Sequence, residues 1–157
     1  MKKVFLVASI LVAGFISANA QTEKKTVMLG GNITFQTSDG ESVFAAAPNV
    51  GFFVANNIAV GGRFSIVTSE GYTAWGVGPF VRGYFAGSDK GKFFAEASGN
   101  VGGVTDSDTE VGFGAGAGYA LFLNKSIALE FGANYNKLGD AEGIFGVGIG
   151  FQIHFKR

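Results

Sequence analysis

Large apolar residues fall on alternate positions along most of this chain, and the C-terminal segment shows it most cleanly. Phe145, Val147, Ile149, Phe151, Ile153 and Phe155 share one face, while Gly146, Gly148, Gly150, Gln152 and His154 share the other. A period of two is the mark of a β-strand, whose side chains point alternately to opposite faces of a sheet. The pattern recurs seven more times. Val27, Leu29, Ile33 and Phe35 open the series, and Phe44, Ala46, Val50, Phe52 and Val54 follow, with Pro48 among them. The third set is Ile58, Val60, Phe64 and Ile66, the fourth Trp75, Val77, Val81 and Phe85, and the fifth Phe93, Ala95, Ala97 and Val101. The sixth runs through Val111, Phe113, Ala115, Ala117, Tyr119, Leu121 and Leu123, and the seventh through Ile127, Leu129, Phe131, Ala133 and Tyr135. Turn signals separate them: Asp39-Gly40, Asn56-Asn57, Glu70-Gly71, Asp89 to Gly91, Asp106 to Asp108, Asn124-Lys125 and Gly139-Asp140.

The face opposite the large apolar residues is not the Lys- and Glu-rich face of a soluble sheet. It carries glycine, alanine, serine, asparagine and a few charges, which suits the crowded lumen of a small barrel whose greasy side meets lipid. Composition agrees: 26 of 157 residues are glycine, 17 are phenylalanine, 15% are charged and mean hydropathy is +0.30. Eight segments of about ten residues match the ~9–11 that a tilted strand needs to cross a bilayer. An even number of strands closes the sheet and leaves no edge for lipid to meet. The expected fold class is therefore all-β, a transmembrane eight-stranded antiparallel up-and-down β-barrel.

The first 20 residues read as a signal peptide rather than as part of the barrel. Lys2 and Lys3 precede an apolar stretch from Val4 to Ile16, and Ala18-Asn19-Ala20 forms a small-residue cleavage site. That stretch is shorter than the ~20 residues of a spanning helix. Residues 21–157 then form one outer-membrane barrel domain with ten basic and twelve acidic groups, a net charge of −2. No cysteine is present, which excludes a disulfide framework and argues against a lipid anchor at the cleavage site. The balanced charge gives no basic surface for nucleic acid.

The charges sort by end. With the N-terminus in the periplasm, the turns near 55–57, 86–91 and 124–125 and both termini carry Lys24, Lys25, Lys90, Lys92, Lys125, Lys156 and Arg157. The opposite connections, near 39–42, 69–74, 103–110 and 138–143, hold eight of the twelve acids and no basic residue.

Four charges within the segments fall on the inward parity: Arg63, Arg82, Glu96 and Glu130. They sum to zero, and charges shut in a barrel cost several kcal/mol each unless paired. A mutually bonded structural cluster is expected, with a gated ion path or proton relay as the functional alternative. The alternating glycines at 112–118 and 146–150 lack the G-x-G-x-x-G spacing of a dinucleotide loop and read as small lumen residues. His154 is the lone histidine, so a three-histidine metal site is excluded, and it reads as a wet or hydrogen-bonded residue of the periplasmic rim. Asp106, Asp108 and Glu110 offer oxygen ligands two residues apart but lack an EF-hand's glycine and length, and a solvated acidic loop is preferred. Bridging by divalent cations to lipopolysaccharide phosphates is a middle reading. No catalytic, metal or cofactor-binding residue is assigned, and no cofactor is expected.

The chain ends Gly150-Phe151-Gln152-Ile153-His154-Phe155 before Lys156 and Arg157. This resembles the C-terminal signature of small outer-membrane barrels of the OmpX and OmpA-transmembrane-domain type, with Gly150, Ile153 and Phe155 as its positions; the two basic residues after Phe155 depart from it. The resemblance implies a bacterial outer-membrane location, contact with lipid and lipopolysaccharide, insertion by the barrel-assembly machinery and a monomeric state. The expected role is non-enzymatic, structural or surface-interacting, with a lumen filled by side chains. The alternatives are a barrel binding or transporting lipids or small apolar ligands, with a cavity where the outer lumen is lined by small residues, and an outer-membrane lipid-modifying enzyme. A soluble lipocalin-like barrel would need a polar exterior.

Overall fold

The computed structural model describes residues 22–38, 41–69, 71–104 and 108–156. The expected signal peptide with Ala18 and Ala20, the turn residues Asp39-Gly40 and Glu70, the loop residues Asp106 and Ser107, and Arg157 lie outside the described residues.

Eight strands follow one another in order: β1 (Thr26–Ser38), β2 (Glu41–Ala55), β3 (Ile58–Ser69), β4 (Tyr72–Ser88), β5 (Gly91–Val104), β6 (Glu110–Phe122), β7 (Ile127–Leu138) and β8 (Ile144–Lys156). Each pairs antiparallel with the next, and β8 returns to β1, so the sheet is a closed barrel. The register keeps equal parities together around the wall. Val27, for example, lies between Phe52 of β2 and Phe155 of β8, three residues of the large apolar face.

That face points outward. Leu29, Phe52, Phe64, Val77, Phe85, Phe131, Ile149 and Phe155 all present their side chains to the surroundings, and Phe145 is 66% exposed. The interior instead holds Met28, Phe53, Phe80, Tyr84, Phe94 and Phe122 together with buried Asn49, Arg82, Glu130, Gln152 and His154. Polar groups are inside and hydrocarbon is outside, the reverse of a soluble barrel and the arrangement of one bathed in lipid.

The strands run from 12 to 17 residues, longer than the segments of about ten expected from alternation. Backbone pairing continues past the apolar stretches, because a closed sheet can extend into water as long as its ladder lasts. Two prolines interrupt that ladder. Pro48 and Pro79 carry outward side chains and have no N–H to donate, and the β2–β3 and β4–β5 pairings skip Ala47-Pro48 and Gly78-Pro79. The Asp89 turn closes the β4–β5 hairpin through a bulge at Phe85–Gly87, where Ala86 and Gly87 take φ of 44° and 129°.

Leu123 departs from its expected outward place. β6 ends at Phe122, and Asn124 Oδ1 accepts the N–H groups of Ser126 and Ile127 at 2.8 Å each. This turn stops the ladder and folds Leu123 into a buried position.

The two rims differ in charge. Lys24, Lys25, Lys90, Lys92, Lys125 and Lys156 surround one end. Asp108, Glu110, Asp140 and Glu142 surround the other, joined by Lys137, the penultimate residue of β7. At the lysine-rich end the chain before β1 is stitched across the mouth. Lys92 Nζ donates to Thr22 Oγ1 and Asn57 Oδ1, both at 2.7 Å, and the Asn57 N–H donates to the Thr22 carbonyl at 2.6 Å. Asn57 takes φ of 65°, a left-handed conformation that asparagine tolerates better than most residues. The exposed Lys156–Glu23 pair at 2.7 Å holds the Glu23 carboxyl below its usual range, chiefly through the hydrogen bond from Lys156. Such a surface pair adds little stability.

Val81 lies mid-strand on the outward face, so Val81→Arg should destabilise the barrel in vesicles by about 2–4 kcal/mol, read by urea unfolding. An unchanged midpoint would mean that this face meets water.

Candidate functional site

The barrel concentrates its buried charge at one level of the lumen. Arg82 on β4 and Glu96 on β5 are direct register partners, and both point inward because they share parity with Phe80 and Phe94. Glu130 reaches the same point from β7 across the lumen. Eight strands leave an interior just wide enough for side chains to fill, so opposite walls touch.

Arg82 is the hub. Its Nε–H donates to Glu96 Oε2 at 2.8 Å, and its Nη1 donates to both carboxylate oxygens of Glu130, also at 2.8 Å. Arg63 on β3 completes the set with Nη1 at 2.5 Å from Glu96 Oε1. All four residues singled out by parity and charge are thus brought into one alternating chain, Arg63–Glu96–Arg82–Glu130. The Arg82 and Glu130 side chains are only 5% and 4% exposed, whereas Arg63 at 20% lies toward the edge of the network.

Residues that charge alone did not identify finish the network. The Tyr84 hydroxyl accepts from Arg82 Nη1 at 3.3 Å and stands 3.3 Å from Glu130 Oε1 and 3.4 Å from the Met28 sulfur. Gln152 Nε2 donates to Glu130 Oε2 at 3.4 Å. The Arg82 guanidinium lies 4.4 Å from the centroid of the Phe94 ring, and Arg63 lies 5.2 Å from that of Phe80, distances suited to cation–π attraction. Phe94 gains this place because β6 carries glycine opposite it; a Cβ on Gly118 would stand 2.7 Å from the ring tip. The signal was available in the inward parity of Tyr84, Phe94 and Gln152, but their contacts depend on which walls face each other.

Below the network, toward the lysine-rich rim, aromatic rings fill the lumen. Phe53 stacks on Tyr84 with centroids 5.8 Å apart, and Phe122 lies 5.4 Å from the imidazole of His154. His154 corrects the expectation of a wet rim residue. It is fully buried between Phe53 and Phe122. It plugs the barrel as an aromatic ring.

Above the network, toward the acidic rim, lies a cavity of about 60 Å³ lined in part by Asn32, Thr34, Ser98, Asn134 and Asn136. The C-terminal positions Gly150, Ile153 and Phe155 do not form a site together. Gly150 faces the lumen beside Glu130, while Ile153 and Phe155 face outward. Of the acidic loop, Asp108 and Glu110 are described and exposed.

No protein-family model and no curated protein sequence matches this chain at a significant level. Solved structures do match in shape. The N-terminal β-barrel domain of Pseudomonas aeruginosa OprF superposes with a TM-score of 0.67 at 11% identity, covering 84% of this chain and 98% of that domain. The P. aeruginosa outer membrane protein OprG gives 0.62 at 11% identity, covering 90% of this chain and 100% of its own. The outer membrane enzyme PagL gives 0.54 at 16% identity, covering 80% and 98%. At these identities the likeness is one of fold: the chain has the architecture of the small eight-stranded outer-membrane β-barrels.

Arg82→Met should leave Glu96 and Glu130 buried without their shared cation and cost about 3–5 kcal/mol in urea unfolding. A stability equal to the parent's would remove the network from the account of the fold.

Proposed function

We propose that this protein is a non-enzymatic integral barrel of the bacterial outer membrane whose role is structural or surface-interacting. The observation that carries the reading is the pairing of a continuous apolar exterior with an ion-paired lumen. The exterior fits lipid, and the network with the rings beneath it fits a barrel that holds its shape and passes no bulk solvent. Eight strands are about half the number that encloses a porin channel. The acidic end faces outward in this reading, and the lysines remain on the periplasmic side.

The partners follow from the surface. Acyl chains cover the apolar belt, and the outer-rim carboxylates of Asp108, Glu110, Asp140 and Glu142 meet lipopolysaccharide phosphates through divalent cations. The C-terminal signature is read by the assembly machinery during insertion, and the folded barrel is a monomer. The charge network serves stability rather than proton or ion passage, because each of its charges already has a partner. A catalytic role is disfavoured by the position of His154, which is sealed at the lysine-rich end, away from the outer surface where lipid would be modified.

One observation favours a second reading, a barrel that binds lipids or small apolar ligands. Gly31, Ala46 and Pro48 leave a hollow on the outer wall, flanked by Phe131, Ile149 and Phe151, with a volume of about 950 Å³ and an almost wholly apolar lining.

Expressed in a Gram-negative host, the protein should fractionate with the outer membrane. Reconstituted into planar bilayers, it should give no porin-like current steps. Incubated with lipopolysaccharide and phospholipid, it should leave every acyl chain in place by mass spectrometry. Stable large currents would overturn the plugged lumen, and released acyl chains would overturn the non-enzymatic reading.

A further inference from the structure

The outer half of the lumen is built differently from the inner half. From Gly112 to Gly118, β6 contributes only glycine to the interior, and at the middle of that run its register neighbours are polar. Gly114 lies between Ser98 of β5 and Asn136 of β7, and Gly116 lies between Glu96 and Asn134. Gly116 lines the cavity of about 60 Å³ above the charge network, together with Gly132, Gly148 and Gly150 of the neighbouring strands. At about 10–15 Å³ per water, such a space holds about four waters or one molecule of similar bulk.

The hydrogen-bonding groups around it are free to act. Ser98, Asn134 and Asn136 have no side-chain hydrogen bond among the described residues, and Asn32 spends one donor on Thr34 Oγ1 at 3.2 Å. Ser98 and Asn136, the register neighbours of Gly114, both line the cavity. Asn100 Oδ1, one step nearer the rim, is buried with no partner among the described residues. Asparagine amides and serine or threonine hydroxyls each donate and accept. The wall is therefore complementary to groups that also do both.

Charge narrows the choice. Arg63, Glu96, Arg82 and Glu130 form the floor, sum to zero and are engaged with one another. A charged ligand would lose its hydration and find no unpaired counter-charge. A neutral molecule rich in hydroxyls faces no such cost. We propose that the outer half of the lumen is a binding well for a short neutral polyol, of about glycerol's size. This goes beyond the structural role proposed above and depends only on the folded barrel, not on its membrane partners.

The test uses the folded barrel in micelles of a zwitterionic detergent without sugar headgroups. Glycerol is titrated while the side-chain amide signals of Asn32, Asn134 and Asn136 are followed by nitrogen-15 NMR, with propan-1-ol at equal concentration as the control. Glycerol should produce saturable shifts confined to these amides, and propan-1-ol should not. Gly116→Leu should abolish the saturation by filling the well. A Cβ there meets the Ala133 carbonyl oxygen at 3.3 Å, Asn134 Cβ at 3.6 Å and Asn134 Cα at 3.8 Å, so the backbone need give by only a few tenths of an ångström. Asn134→Leu, which keeps the glycine, should weaken binding about tenfold, the loss of one good hydrogen bond. Shifts that stay linear in glycerol, that propan-1-ol reproduces, or that persist unchanged in Asn134→Leu would mean that the well holds water alone.

Discussion

Closing eight strands into a barrel leaves a lumen so narrow that opposite walls must satisfy each other, and Arg82 meets Glu130 under that constraint. Lipid outside offers no hydrogen bond, so the backbone pairs within the sheet from β1 round to β8, with gaps only beside Pro48 and Pro79 and at the two bulges. The apolar side chains take the outside, and every polar or charged side chain of the strand interiors is forced toward the axis. Once there, a charge is tolerable only with a partner. The alternating chain of Arg63, Glu96, Arg82 and Glu130 joins β3, β4, β5 and β7. It ties walls that no backbone ladder connects.

The fold was legible in the sequence because period two survives any local irregularity. Glycine opposite phenylalanine, repeated along Gly112–Gly118 and Gly146–Gly150, is enough by pattern alone to distinguish a membrane barrel from a soluble one. The Arg82–Glu96 pair was legible for the same reason, since the hairpin turn at Asp89 sets the two residues opposite each other. Cross-lumen contacts were not. That Glu130 meets Arg82, and that Tyr84 and Gln152 join them, depends on how β4 and β7 face each other after closure. Strand ends were also obscure, because they depend on hydrogen bonding rather than hydrophobicity. Leu123 continues the apolar parity of β6, yet the Asn124 turn folds it inward. The burial of His154 was hidden too, because its surroundings come from Phe53 and Phe122 on distant strands.

The lumen is divided into two regimes by the ion-paired level. Beneath it, bulky rings and a buried imidazole exclude water and seal the lysine-rich end. Above it, β6 withholds side chains and leaves amides and hydroxyls without protein partners among the described residues. A purely structural plug would gain from filling that space, since empty volume forfeits packing contacts. The asymmetry distinguishes an inner half built for stability from an outer half with room for a guest.

In a membrane barrel of this construction the large apolar face lies against acyl chains. The absence of cysteine makes single-cysteine spin labelling along β8 straightforward. In vesicles, collision rates with oxygen and with a water-soluble nickel chelate should be measured at each position from Phe145 to Phe155. Odd positions should collide with oxygen and not with nickel, while even positions should be shielded from both through the closed half of the lumen. Nickel access at the odd positions matching that at the exposed loop residue Asp140 would contradict the lipid-facing belt and the reading built on it.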